Sequence, residues 1–307
     1  MTAPLLSGVA VRSSALQRHA FRAMGTDVEF LIEAEGSSEI SAALQAVERE
    51  FHRCEALLSR FRADSELSVL NRCGALYAGP ELIEVVELAL AARWQTRGRF
   101  DPTIHDAVVA AGYDRSFEDL PRDTDERAPL RSVPCGGGVT VDRAQSLIEL
   151  QPGFRLDLGG IAKGYTVDRA CDLLSPLGAC LVNAGGDLAV RGSFRGGPWP
   201  VGVETATSTI TLALRNGAMA TSGRDWRRWY RGGEEQHHVI DPSTGRPSET
   251  DLLRVTVVAG TAIAAEVHAK NLFLAGEQDA VREADELGVP CVLVTDDGRT
   301  VRAGGLA

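Results

Sequence analysis

The sequence predicts an α+β fold, in which mixed or antiparallel sheets pack against helices. Helical and strand-like stretches follow one another without the regular strand–helix–strand repeat of a doubly wound protein. Apolar residues recur at intervals of three and four between Ile40 and Phe61, which is typical of an amphipathic helix. Short runs rich in β-branched and aromatic residues, such as WPVGVE and STITLALR, instead indicate strands.

Several helices are predicted from this periodicity. The first starts at Ser38, its predicted N-cap, and the polar run 59–71 is expected to lead out of it. The second has Pro80 in its first turn and Gly98 just beyond its end. This second helix covers residues 80–97. Three further helices are predicted: one that continues the stretch 156–168 to Leu174, one at 261–275 and one at 279–287.

Strands are predicted where short runs of β-branched or aromatic residues are bounded by Gly or Pro. The predicted strand regions are 21–34 (interrupted at Gly25), the hairpin 139–158, 179–192, 199–204, 208–215, 226–231, 237–241, 254–260 and 291–297. Residues 114–138 are charged and then rich in Pro and Gly, which predicts a surface excursion. Residues 1–18 are predicted to be a flexible leader before one domain, 19–307, built as a single body or as two closely packed lobes.

Net charge and cysteine usage argue against several classes of function. The formal net charge of −10 disfavours a general binder of nucleic acid or anionic membranes but leaves room for a local basic pocket. No apolar segment approaches the roughly 20 residues that span a bilayer, and the N-terminus lacks a signal-peptide pattern. Six cysteines without C-x-x-C spacing indicate reduced core thiols. A cytoplasmic location is therefore predicted.

The stretch LDLGGIAKGYTVD, residues 156–168, carries the densest chemistry. Its glycines let backbone approach a ligand, and the helix that follows offers unpaired N–H groups to an anion. Lys163 adds a point charge suited to phosphate, whereas Asp157 beside a phosphate needs a cation or a sugar hydroxyl. The stretch is not a Walker loop, because no Lys-Ser/Thr pair closes it. An ordinary strand-to-helix connection with a solvated lysine is the alternative.

Further polar clusters with turn residues lie between apolar elements: MGT at 24–26, FDPT at 100–103 and HHVIDPSTG at 237–245, with NAGGD and ATSG as weaker companions. Each cluster alone is most simply a turn. Together with the DLGG stretch they indicate loops that converge on one ligand, because binding residues concentrate on loops held by a scaffold.

In order and spacing these clusters resemble the ApbE family, the FAD:protein FMN transferases, from about Met24 to Gly276. The most specific pieces are DLGG-x-AKGY-x-VD and H-x-IDP-x-TG. The resemblance implies an ApbE-like fold and an enzyme that splits the pyrophosphate of FAD and moves FMN onto a Ser or Thr hydroxyl of an acceptor flavoprotein, releasing AMP. It also implies a divalent cation, usually Mg²⁺. The implied partners are FAD and the acceptor, with no nucleic acid and no transmembrane segment.

The resemblance also implies roles for individual residues. Phe61 stands where tyrosine is common, so the aromatic face for flavin stacking is kept and the hydroxyl is lost. Lys163 is expected near the pyrophosphate, and Ile240 against the flavin or in the core. The implied FAD-binding residues are Met24, Phe61, Arg99, Phe100, Asp101, Asp157, Lys163 and Ile240.

His238 is the candidate general base, because the pKa range of imidazole suits deprotonation of a hydroxyl that attacks phosphorus. The alternative is a histidine that hydrogen-bonds a turn. His237 is expected to point to the other face, since neighbouring strand residues alternate.

The metal site departs from the family pattern. Gly160 would offer its carbonyl to the metal, but Glu266 stands where aspartate is common and Lys270 replaces the threonine one helical turn later. Three hypotheses follow: an active enzyme with a remodelled metal site, an enzyme that uses Lys270 in place of a cation, or a flavin binder that does not transfer. FAD pyrophosphatase activity and a surface Glu–Lys ion pair are further alternatives.

Overall fold

The structure is a computed structural model that describes residues 15–126 and 132–306. The helices are α1 (Ser38–Leu58), α2 (Glu66–Cys73), α3 (Pro80–Gln95), α4 (His105–Ala110), α5 (Ala162–Leu174), α6 (Ala262–Ala275) and α7 (Glu277–Leu287). The strands are β1 (Leu16–Ala23), β2 (Thr26–Glu33), β3 (Ala75–Tyr77), β4 (Asp123–Thr124), β5 (Val139–Asp142), β6 (Leu147–Leu150), β7 (Ala179–Ala184), β8 (Asp187–Arg191), β9 (Trp199–Glu204), β10 (Thr209–Leu214), β11 (Gly217–Gly223), β12 (Arg228–Arg231), β13 (Glu234–His237), β14 (Ile240–Asp241), β15 (Arg246–Pro247), β16 (Leu252–Ala259), β17 (Cys291–Thr295) and β18 (Thr300–Ala303).

Eight strands form one antiparallel sheet in the order β1-β2-β7-β8-β11-β16-β17-β18. In β11, Ala218 and Ala220 belong to the cores formed with the helices, whereas Met219 between them packs with Trp199 and Val201 of β9. Successive strand residues point to opposite faces, so these two sets of contacts mark the two faces of the sheet. One face is covered by helices α1, α5, α6 and α7. The β9–β10 hairpin covers the other face.

A second core lies between α2, α3, the β3-β6-β5 sheet and the start of α5. Leu156, Leu158 and Ile161 are fully buried in it. Burial of three apolar side chains within six residues fixes the backbone of the loop before α5. Each side chain removed from water stabilises the folded state by about 1.5–3 kcal/mol. The polar and glycine residues between them are thereby held in place at the edge of this core.

The predicted α+β class is confirmed, while several element boundaries differ. Ser37 and not Ser38 caps α1, since its hydroxyl accepts the N–H of Ile40. The sequence patterns missed α2, α4, β3, β4, β11, β15 and β18. Helix α2 begins inside the polar run 59–71 and ends two residues beyond it, and Ser65 caps it by accepting the N–H of Ser68. Strand β11 reads GAMATSG, and its small residues carry no strand signal.

The predicted leader overlaps the sheet, because β1 begins at Leu16. Residues 1–14 of that leader, and 127–131 of the predicted surface excursion, lie outside the described residues. Among the helices that the structure describes, none has both the length and the apolar character needed to cross a membrane.

Candidate active site

Two hairpin turns at one end of the large sheet bring distant parts of the chain together. The turn between β1 and β2 is Met24–Gly25, with φ of 53° and 67°, and the turn between β7 and β8 is Gly185–Gly186, with φ of 63° and 97°. Two-residue turns in which both φ angles are positive favour glycine. Met24 therefore holds a conformation that residues with a Cβ rarely adopt. The N–H of Gly185 donates to the carbonyl oxygen of Asp27 over 3.1 Å, which sets the two turns side by side.

Lys163 lies between two buried carboxylates. Its Nζ forms ion pairs with Asp187 and with Oε1 of Glu266, the second at 2.9 Å. The other oxygen of Glu266 accepts the N–H of Gly164 over 3.1 Å. Burial by itself lowers the pKa of Lys163, but Asp187 and Glu266 together raise it above its usual range. Burial raises the pKa of Asp187 to about 6, and the charge of Lys163 opposes that rise. The solvated lysine considered as an alternative is therefore not what the structure shows.

Helices α5 and α6, which carry these groups, meet at their backbones. A Cβ at Gly164 would lie 2.9 Å from the backbone carbonyl of Ala262 and from the nitrogen of Ile263. The carboxylate of Asp168 accepts the N–H groups of Ala262 and Ile263 at 2.8 and 3.1 Å, so it satisfies two free donors at the start of α6. The spacing of the charged side chains on the two helices is fixed by this contact.

We expect Gly164→Ala to lower the free energy of unfolding by about 1–3 kcal/mol, because the added methyl group meets backbone that cannot move without separating the helices. The measurement is urea unfolding followed by circular dichroism. Gly260→Ala is the matched control, since nothing lies within 4 Å of a Cβ there. Equal unfolding free energies for Gly164→Ala and the wild type would contradict the close approach of the helices.

A narrow pocket gathers seven of the residues that the sequence indicated. Lys270 reaches it from α6, Ile240 from β14, and Gly160 and Asp157 from the loop before α5. Its lining residues are Arg99, Phe100, Asp101, Ile104, Asp157, Gly160, Ile240, Pro242 and Lys270. The loop clusters FDPT, DLGG and VIDP therefore do meet, together with one face of α6.

Lys270 fills part of this pocket. Its Nζ lies so close to Gly160 that a methyl group at that position would overlap it, and it stands 5.7 Å from the centroid of the Phe100 ring. Within the described residues it has no hydrogen bond or ion pair, because Glu266 is bound to Lys163 instead. Burial lowers the pKa of Lys270, and the Glu266 carboxylate opposes that shift. A surface Glu–Lys pair is ruled out, since Glu266 is 4% exposed.

Asp157 has an arginine as its partner. Nε of Arg60 lies 2.8 Å from Oδ2 of Asp157, and their side chains are 6% and 11% exposed. The guanidinium of Arg60 also lies over the ring of Phe61, at 4.1 Å, and over the ring of Tyr113, at 4.7 Å. Phe61 is 42% exposed and does not line the narrow pocket itself. It is connected to the pocket through Arg60.

Two of the predicted residues make protein contacts at the pocket wall. Arg99 forms an ion pair with Glu283 at 2.5 Å and donates to the side-chain oxygen of Asn271 over 3.4 Å. Oδ1 of Asp101 accepts both the N–H and the hydroxyl of Thr103 at 2.8 Å, which shapes the FDPT turn.

His238 follows β13, and its Nδ1 is buried without a hydrogen-bond partner among the described residues. Burial lowers its pKa well below 6.5, and the charges of Arg227 and Lys270 add to the effect. The imidazole is therefore neutral, as a general base must be. Nε2 of His237 lies 3.0 Å from the carbonyl oxygen of Ser248, and His237 lines a separate cavity of about 490 Å³. The larger cavity contains none of the residues that were predicted to bind or react.

The sequence patterns did not single out three charged residues of the site: Arg60, Asp187 and Arg227. Asp187 directly follows the Gly-Gly turn of the NAGGD cluster, which is a detectable signal. The two arginines stand in the runs SRFR and WRRWYR, where nothing distinguishes them from surface arginines. The guanidinium of Arg227 lies 3.4 Å from the carbonyl oxygen of Gly25, so it joins the His238 segment to the β1–β2 turn.

The residues present do not fit a magnesium ion. Mg²⁺ demands near-octahedral oxygen ligands at about 2.0–2.1 Å. Both oxygens of Glu266 are already bonded, one to Lys163 and one to the N–H of Gly164, and the ammonium of Lys270 lies against Gly160. In the part of the chain that the structure describes, no three His, Cys, Asp or Glu side chains are grouped as metal ligands.

The chain matches one known protein family. The family model described as "ApbE family" matches residues 24–293. The FAD:protein FMN transferase of Treponema pallidum (strain Nichols) is 29% identical over 295 residues, which cover 88% of this chain and 82% of that protein. The FAD:protein FMN transferase of Haemophilus influenzae is 29% identical over 299 residues, covering 90% and 86%.

Solved structures agree with the fold. The ApbE protein of Thermotoga maritima superposes with a TM-score of 0.84 at 27% identity, covering 94% of this chain and 97% of that one. The flavinyl transferase ApbE of Pseudomonas stutzeri, in its apo form, gives a TM-score of 0.82 and covers 96% of each chain. At 22% identity the second likeness shows the fold alone.

Proposed function

The chain belongs to the ApbE family, and from this premise we propose that it is an FAD:protein FMN transferase. It takes FAD as substrate and moves FMN onto a Ser or Thr hydroxyl of an acceptor flavoprotein, with release of AMP. The cytoplasmic location predicted from the sequence stays a prediction.

One observation carries the proposal: the loop before α5, the FDPT turn, the VIDP segment and α6 meet around one pocket. Lys270 supplies unpaired positive charge there for a pyrophosphate, and Phe100 and Ile240 supply apolar surface. Arg99 lines the wall while paired with Glu283. The pocket is narrow, so the rest of FAD extends over its mouth. The exposed ring of Phe61, which Arg60 connects to Asp157, supplies a face for the flavin there.

The proposed reaction is a phosphoryl transfer. The acceptor hydroxyl oxygen attacks the phosphorus on the riboflavin side of FAD, and its proton passes to the neutral imidazole of His238. A phosphoester to the acceptor forms, the P–O bond of the pyrophosphate breaks, and AMP leaves with the bridging oxygen. Such reactions need positioning and charge neutralisation more than covalent chemistry from the protein. The buried Lys163–Asp187–Glu266 cluster joins α5 to α6, the helix that carries Lys270.

The direct test incubates the full chain with FAD and Ser- or Thr-bearing peptides from candidate flavoprotein acceptors. Equal amounts of AMP and of a peptide that has gained FMN, measured by chromatography and mass spectrometry, are the expected result. AMP without a flavinylated peptide would identify an FAD pyrophosphatase instead. Bound FAD that stays intact would identify a flavin-binding protein that does not transfer.

The pH dependence follows from the lowered pKa of His238. The base form is present above that pKa, so kcat/KM for FAD, which reports the free enzyme, should show no acid limb near pH 6.5. Stability should change in the same range: because the unfolded imidazole binds a proton that the folded one does not, the free energy of unfolding falls as pH drops below 6.5. An acid limb centred near 6.5 in the wild-type profile would contradict the buried, neutral imidazole.

A further inference from the structure

We propose that the ammonium of Lys270 replaces a divalent cation at the pyrophosphate of FAD, so that this chain binds FAD and transfers FMN without magnesium. The inference rests on the transferase function proposed above. It assigns the positive charge that this reaction requires to a side chain of the protein.

The choice of lysine at this site is selective. The chain contains 30 arginines and two lysines, and the two lysines are Lys163 and Lys270. Both lie at the site, since Lys163 is paired with Glu266 and Lys270 stands one helical turn beyond Glu266 on α6. Arginine presents a broad planar fork, whereas lysine presents a compact point charge. A chain that otherwise uses arginine has lysine only at this site, once between two carboxylates and once against Gly160.

The two lysines play different parts. Lys163 is held by Asp187 and Glu266, and this pairing occupies the carboxylates that could otherwise bind a metal ion. Lys270 has no carboxylate within ion-pair distance among the described residues and projects into the pocket. A partly buried charge without a partner is costly, which favours binding of an anion that supplies one. The pyrophosphate of FAD is such an anion.

Nζ of Lys270 lies against Gly160, on the side where other residues carry a Cβ. Gly160 is also the residue whose carbonyl the family resemblance assigns to the metal. Only a residue without a Cβ leaves room for this approach. An ammonium carries one charge where Mg²⁺ carries two, but it brings three N–H donors that can bond the phosphate oxygens as charge builds on them. Lys270 therefore supplies, in one side chain, the neutralisation that phosphoryl transfer needs.

The test compares FAD affinity with and without metal. FAD binding to the full chain is measured by titration calorimetry in EDTA and in excess Mg²⁺, for the wild type and for Lys270→Met. We expect the wild-type affinity to agree within about twofold in the two conditions. We expect Lys270→Met, which keeps the length and loses the charge, to bind FAD about 10–100-fold more weakly, as for loss of a charge-assisted hydrogen bond. A wild-type affinity that collapses in EDTA, or wild-type affinity in Lys270→Met, would overturn the inference.

Two further variants test whether the loss of FAD affinity in Lys270→Met is specific to this side chain. Arg282→Met removes the same charge from the exposed face of α7, where the side chain is 60% exposed, and should leave FAD affinity unchanged. Gly160→Ala should weaken FAD binding by displacing the ammonium, and should do so much less in a Lys270→Ala background. Equal effects of Gly160→Ala in the two backgrounds would show that Gly160 does not act through Lys270. Melting temperatures of the unliganded variants show whether each one folds.

The readouts separate this inference from the proposed function. FAD that binds equally in EDTA and Mg²⁺, but yields no AMP and no flavinylated peptide, would remove the transferase and support Lys270 as the binding cation. Transfer that proceeds only with Mg²⁺ would support the transferase and overturn the inference. Absence of FAD binding by the wild type in both conditions would overturn both.

Discussion

His238→Ala is expected to lower the rate of FMN transfer by about 10²–10⁴-fold, the usual contribution of a positioned general base. The substitution removes the only group to which we assign the acceptor proton, and it leaves the residues that line the pocket unchanged. FAD affinity should therefore stay within about twofold of the wild type, because an interaction made only in the transition state affects kcat and not ground-state binding. The measurement is single-turnover AMP release, together with FAD titration.

The control for this prediction is His52→Ala on α1. That side chain is 50% exposed, its contacts to Glu48 and Glu55 are long, at 3.9 and 4.0 Å, and its ring lies 5.6 Å from that of Phe21, far from the pocket. Its transfer rate should equal that of the wild type. If His238→Ala kept full activity, His238 would be a turn histidine, and the base would have to be sought elsewhere.

Lys163→Met is expected to lower the free energy of unfolding by about 3–5 kcal/mol, because breaking a buried ion pair leaves its partners uncompensated. Asp187 and Glu266 are 4% and 6% exposed in their side chains, so water cannot replace the ammonium. Without the ammonium, burial and the charge of Glu266 raise the pKa of Asp187 unopposed by Lys163. Because the folded-state pKa of Asp187 lies above the unfolded one, the loss is smallest at acid pH and grows as pH rises. Urea unfolding at several pH values measures both effects.

Two comparisons make this second prediction specific. Arg282→Met breaks an exposed pair with Asp279 and should change the unfolding free energy by less than about 1 kcal/mol. The triple variant Lys163→Met, Asp187→Asn, Glu266→Gln removes the charges together and should recover much of the loss, since neutral replacement of a buried cluster is far less costly than breaking it. A Lys163→Met variant as stable as the wild type would mean that Lys163 is solvated after all.

The sequence indicated the members of the site better than their contacts. Phe100, Asp157, Gly160, Ile240 and Lys270 were all singled out by motif, and all of them line one pocket. The pairing of Lys163 with Asp187 and Glu266 was not predicted, because it joins residues 24 and 103 positions apart and leaves no periodic signal. Motif reasoning assigned Lys163 to phosphate and Glu266 to metal, where the structure pairs them with each other.

The secondary structure was likewise predicted in part. Helix α1 and its apolar positions followed from the spacing of Ile40, Leu44, Val47 and Phe51, all of which are buried. Strand β11 lies in the middle of the large sheet and was missed, because its buried positions are glycine, alanine, methionine and serine, none of which is β-branched or aromatic. Periodicity therefore identified elements with large side chains and failed where neighbours set the conformation.

The backbone contact between α5 and α6 at Gly164 determines how the site responds to its ligand. One helix carries Lys163 and the other carries Glu266 and Lys270, and the Asp168 carboxylate bonds the start of α6 to α5. The distance between the two backbones that carry the lysines is thus established during folding and not by the substrate. Charges anchored on such a preset frame need little backbone rearrangement as the reaction proceeds, so adjustment to a bulky dinucleotide falls to side chains and to the surrounding turns.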